Sequence, residues 1–133
     1  MARSLSPQQF VAALNDVAKK DLPKAAIDLK RKVFTAAFRE VVKDSPKRRG
    51  RLRAGWYASN GSPGSEKPED GRAHYPVPGD ERVLGVIAGM KLGETSYVYN
   101  NVEYSGYVEF GTSRMSPRGT VRRALERIRS RVR

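Results

Sequence analysis

The sequence predicts an α+β chain on three observations. Apolar residues recur at helical spacing through the first third, short β-branched and aromatic runs lie between turn residues in the middle, and helical spacing returns at the C-terminal end. Charge follows the same division: residues 1–43 carry nine basic and four acidic groups, 81–118 four of each, and 119–133 six and one. The helical ends are therefore basic and the strand region neutral.

Ser6-Pro7-Gln8-Gln9 supplies an N-cap, a proline in the first turn and a Gln at the capping-box position. Phe10, Leu14, Val17 and Ala18 then share one face. Pro23 removes a backbone donor, so the pattern is expected to break near Asp21 and restart, giving two helices joined by an elbow. The second, Leu22 to Lys43, is roughly 30 Å long. It carries Ile27, Phe34, Phe38 and Val41 on one stripe, flanked by Ala26, Val33 and Ala37. Lys24, Lys30, Arg31, Arg39 and Lys43 occupy the other face, read as a solvated surface. The helix must end before Pro46.

A basic turn, Lys47 to Arg53, feeds Ala54 to Tyr57, read as a strand with Leu52 and Trp56 on one face. From about Asn60 to Arg82 the chain is rich in Gly, Pro and charge and has no apolar period, which predicts one long loop, mobile or ordered only in an assembly. Val83 to Met90 and Ser96 to Asn101 read as two strands paired in a hairpin around Gly93. Tyr104 to Phe110 reads as a short helix stopped by Gly111. The last helix starts near Ser116-Pro117 or Thr120, with Val121, Leu125, Ile128 and Val132 on one face and arginine over most of the other.

The chain has 133 residues, which accommodates one domain over 1–133. Leu, Ile, Val and Phe supply about 21% of them, enough for a thin core, and a thin core favours oligomerisation. The absence of Cys excludes disulfide frameworks, Cys-ligated zinc, iron–sulfur centres and thiol catalysis. No apolar run approaches the roughly 18 residues of a membrane span, and MARSLSPQQF lacks the apolar stretch of a signal peptide, so synthesis in the cytoplasm without a membrane partner is expected. A net charge of +12 brings in DNA, RNA and acidic protein surfaces as partners.

Little in the chain suggests an enzyme, and no catalytic, cofactor or metal site is expected. His74 is the only histidine and lies in the Gly/Pro-rich loop without a triad-like or metal-pair pattern. Gly61 to Gly64 lacks the Gly-Lys-Ser/Thr continuation of a phosphate loop. Glu103 and Glu109, six residues apart among aromatics, would have to converge to act as acid and base; pairing with Arg114 or with a neighbouring subunit is the preferred reading. Two basic sets offer contact to DNA or to an acidic partner: Lys47, Arg48, Arg49, Arg51 and Arg53, then Arg122, Arg123, Arg127, Arg129, Arg131 and Arg133. No base-reading motif accompanies them, so any nucleic-acid contact would be nonspecific and to the backbone. A nonspecific nucleic-acid-binding accessory protein is accordingly the second functional reading.

One constellation is more specific. Ser45-Pro46, Gly50-Arg51-Leu52-Arg53 and Trp56 are followed by Val98-Tyr99-Asn100-Asn101-Val102-Glu103-Tyr104-Ser105-Gly106-Tyr107-Val108-Glu109-Phe110-Gly111-Thr112, then Met115, Pro117 and Ala124-Leu125. Nearly the whole chain thus resembles the head-to-tail joining family of tailed bacteriophages, the tail-completion or neck proteins. It departs from the family pattern at Arg48-Arg49 and at Arg118-Gly119-Thr120. The resemblance implies helices packed on a small antiparallel sheet and a homo-oligomeric ring, with six as the expected copy number, at the tail–connector junction of a long-tailed phage. It also implies a virion location, head-closure and tail-terminator or tail-tube proteins as partners, genome DNA in the channel and no catalysis. Tyr99, Tyr104, Tyr107, Glu109, Phe110 and Arg114 are the expected subunit or partner interface, since tyrosine joins large apolar area to a polar tip.

Overall fold

The computed structural model describes residues 6–114 and 116–132; Met115 and Arg133 lie outside the described residues, as does the side chain of Val132. Helix α1 spans Pro7–Asp16. Its N-terminus carries the expected capping box, with Gln9 N donating to Ser6 Oγ over 3.2 Å and Ser6 N to Gln9 Oε1 over 2.9 Å. The expected elbow is absent. Val17–Asp21 forms a π-helical turn in which Leu22 N–H reaches Val17 O, and α2 continues directly over Leu22–Asp44. The wider turn sits just where Pro23 has no donor to give, so the helix swells by one residue instead of breaking.

Helix α2 is the spine of the core. Phe34, Phe38, Val41 and Val42 are buried, and Ile27 packs partly against them. Its end is tied to the sheet by Ser45, which is fully buried: Ser45 Oγ donates to Val41 O over 2.6 Å and accepts from Trp56 Nε1 over 2.7 Å. Gly50, at φ +82°, then turns the chain through the left-handed region, where a Cβ would also lie 3.1 Å from Tyr75 O.

The strand expected at Ala54–Tyr57 begins later. Arg51–Ala54 forms a single helical turn, α3, closed by Ala54 N–H to Gly50 O, and β1 runs over Trp56–Asn60. Residues 61–80 contain no helix or strand, in agreement with the expected long loop. Several bonds hold that loop to the body: Tyr75 N–H to Arg49 O at 3.0 Å, Arg51 Nη2 to Pro68 O at 3.1 Å, and Asn101 Nδ2 to Gly64 O at 2.9 Å.

The expected hairpin is overturned. Glu81–Ala88 is helix α4, and β2, Ser96–Asn100, pairs antiparallel with β1 in a register running from Trp56 opposite Asn100 to Asn60 opposite Ser96. Val83, Val86 and Ile87 stand at i, i+3 and i+4, the spacing of a helical face; Val83 is completely buried, while Val86 and Ile87 pack against the core. Helix α5, Ser105–Phe110, stops at Gly111 as expected; its φ of +79° with ψ of 176° is an extended mirror-image conformation open essentially to glycine alone. Helix α6, Thr120–Val132, packs along α2. The fold is thus α+β: a long helix, two shorter helices and a two-stranded sheet enclose Phe34, Phe38, Val41, Trp56, Val83, Met90 and Ala124. Among the described residues no helix is long and apolar enough to cross a membrane.

Candidate functional site

The Tyr-x-x-Tyr-Val-Glu-Phe-Gly segment folds into α5 and its approach, and divides its side chains between two directions. Tyr107 and Phe110, three residues apart on one face, are 62% and 73% exposed, with Tyr104 beside them at 40%. Glu109 points the other way. Its carboxylate accepts from the backbone N–H groups of Val121 at 3.0 Å and Arg122 at 3.3 Å, and Arg122 Nη2 returns to Glu109 O at 3.0 Å. A carboxylate on the free amides of a helix N-terminus satisfies orphan donors and meets the positive end of the dipole, so Glu109 locks α5 to the start of α6. The result is an aromatic ridge on a firm base. Arg114 is exposed on the turn beyond it.

Tyr99 belongs to the sheet instead. Its ring stacks on Tyr57 with centroids 6.3 Å apart, and its hydroxyl donates to the Glu66 carboxylate. Burial and the Glu66 carboxylate push the phenol up to about 12. The same bond holds Glu66 below its ordinary value. Loop residue Glu66 and strand residue Tyr99 thereby fasten the long loop to β2.

Glu103 and Glu109 are engaged by separate partners, and neither pairs with Arg114 as expected. Arg51 Nη1 reaches Glu103 Oε2 at 2.7 Å and Lys67 Nζ reaches Glu103 Oε1 at 2.8 Å. The Arg51 hydrogen bond, then that of Lys67, holds the Glu103 carboxyl well below the usual carboxylate range. Among the described residues no group of three or more His, Cys, Asp or Glu could hold a metal ion.

The basic set of residues 47–53 divides. Arg51 is only 8% exposed and is committed to Glu103 and to Pro68 O, and Arg53 is half-buried. Lys47, Arg48 and Arg49 are exposed. Arg48 and Arg49 line a cavity of about 650 Å³ with Arg72, Tyr75 and Tyr104. This cationic concavity also contains Asp70 and Glu103, which offset part of its charge.

The C-terminal arginines divide too. Arg127 Nη1 and Arg131 Nη2 converge on Glu40 at 3.2 and 2.7 Å, Arg123 meets Asp44 at 3.0 Å, and Arg122 meets Glu109 at 3.6 Å. Glu40 is buried. Burial raises its pKa, but the bonds from Arg131 and Arg127 outweigh that and leave the carboxyl below its ordinary value. Much of the α6 arginine row is therefore a seam between helices. Arg129 is exposed and makes no ion pair among the described residues.

Sequence reasoning missed Glu40 and Asp44 as the acidic side of this seam. A signal existed: acids at i and i+4 on α2 match arginines at i, i+4 and i+8 on α6. Comparison with family models, curated proteins and solved structures finds no match to this chain.

Proposed function

We propose that the protein is a virion structural component that assembles into a ring at the head–tail junction of a long-tailed phage, joins the tail to the capsid connector and leaves a passage for DNA. The observation that carries this reading is the division within α5. Tyr107 and Phe110 stand out in water while Glu109 anchors the helix beneath them, which suits a docking face, because large aromatics held on a rigid element lose little entropy when covered. Head-closure and tail-terminator or tail-tube proteins are its partners outside the ring, and assembly takes place in the host cytoplasm. The exposed cations Lys47, Arg48 and Arg49 supply a positive face towards the channel. Phage carrying Tyr107→Ser together with Phe110→Ser is expected to accumulate filled heads and finished tails that do not join, with the variant protein's melting temperature little changed. Normal joined particles from that variant would contradict the assignment.

The cationic cavity favours a second reading, a nonspecific nucleic-acid-binding accessory protein. It requires duplex binding by the isolated subunit with a steep salt dependence, whereas the ring reading places the cations to act together only after assembly.

A further inference from the structure

We propose that α1 of one copy docks into the groove between α2 and α6 of a second copy; the inference rests on the ring reading and names the seam that builds the ring. Two unpartnered apolar surfaces occur at different places on the same chain. The first is α1 with its π turn: every residue from Pro7 to Asp21 is exposed, including Phe10, Val11, Leu14 and Val17, each about half exposed. The segment extends from α2 with no buried residue of its own, so its row of apolar side chains gains stability when a surface covers it. The second is a groove of about 610 Å³ floored by Trp56 and Val98, with Leu29 of α2 and Leu125 of α6 about half exposed in its walls.

Charge and apolar character match the two. The chain carries +12, yet residues 6–18 contain no cation and a single charge, Asp16. The groove lining contains one charged residue, Lys30, and no acid. Among the helices of so basic a chain, α1 can approach a second copy without cation meeting cation. Residues 7–18 form a stretch of about 18 Å, and docking it sets Phe10, Leu14 and Val17 against the half-exposed Leu29 and Leu125, with Lys19 and Lys20 beyond the contact. In a ring each copy makes the contact twice, once as donor and once as acceptor, so a contact at the small end of interface sizes is reinforced by closure.

The occupant is a second copy and not the same chain's α1. The backbone stays helical through Asp21 and Leu22, so α1 continues along the axis of α2 and is directed away from the groove on α2's own flank. A contact of this kind is head-to-tail, and it closes into a ring when the rotation per copy divides a full turn.

The test uses three full-length forms, wild type, Leu14→Asp and Leu125→Asp, with subunit mass measured by light scattering and folding checked by circular dichroism. Both substituted residues are exposed in the single chain, so each variant is expected to remain folded and to fall from the oligomer to single-subunit mass. An equal mixture of the two is expected to give a two-subunit species and nothing larger, because only one intact helix and one intact groove meet. Recovery of that species also shows that both variants are folded. An unchanged oligomer in either variant, or a mixture that stays at single-subunit mass, overturns this seam while the ring reading stands. A wild type that is itself a single subunit at 100 µM overturns both.

Discussion

Glu40 illustrates how one buried side chain sets the behaviour of two helices. It accepts from Arg127 and Arg131 across the α2–α6 contact and carries the charge that lets a row of arginines pack inward. Because its folded pKa lies below the ordinary carboxylate value, its contribution to stability is complete above about pH 4.5 and is lost as pH falls through the folded value. Glu40→Gln is expected to cost about 1–2 kcal/mol at pH 7, a figure held down because both arginine heads remain open to water. The gap between wild type and variant, read from urea midpoints, should narrow below about pH 4.5. A gap independent of pH would show that the ion pairs contribute nothing. Ser45 acts similarly without charge, joining the end of α2 to Trp56, the only tryptophan in the chain.

Helix α4 marks the boundary of what a single sequence reveals. The caps and stops that depend on near neighbours were legible: the Ser6 box, the glycine at 111 and the apolar stripe of α2 all follow from residues within a few positions of one another. From sequence Val83–Met90 reads as a strand, and wrongly, because a short apolar run fits both periods. Its burial on the face of α2 and β1 decides for helix, and it leaves β2 free to pair with β1 some forty residues upstream. Pairings of that separation leave no local trace, and the same holds for Arg51 with Glu103 and for the α6 arginines with Glu40. Of the candidate site, the aromatic ridge was legible from type and spacing, whereas the inward turn of Glu109 required the position of α6. Gly85→Ala tests the helical assignment. Nothing lies within 4 Å of a Cβ built there, so the variant is expected to gain about 0.5–1 kcal/mol from the lower entropy of its unfolded chain. A loss of stability would contradict a helix at 81–88.

The molecule as a whole is a small basic body with more apolar surface outside than a solitary domain of this size needs, in two sets: the α5 ridge, and α1 with the groove between α2 and α6. Its charge is also less available than the sequence count implies, since Arg51, Arg122, Arg123, Arg127 and Arg131 are paired internally. That distinction is measurable with duplex DNA over a salt series. Replacing Arg48 and Arg49 by Gln should reduce the slope of log K against log salt by about 2, whereas Arg127→Gln should reduce it by less than about 0.5. Equal effects would show that the internal pairs open on binding. The most direct test of the ring at the junction is to count this chain against the major capsid protein in purified phage particles by quantitative mass spectrometry. A ring at the junction predicts a ratio equivalent to one small ring per particle, with six copies expected. Absence of the chain from intact particles would contradict it and leave nucleic-acid binding as the function of the exposed cations.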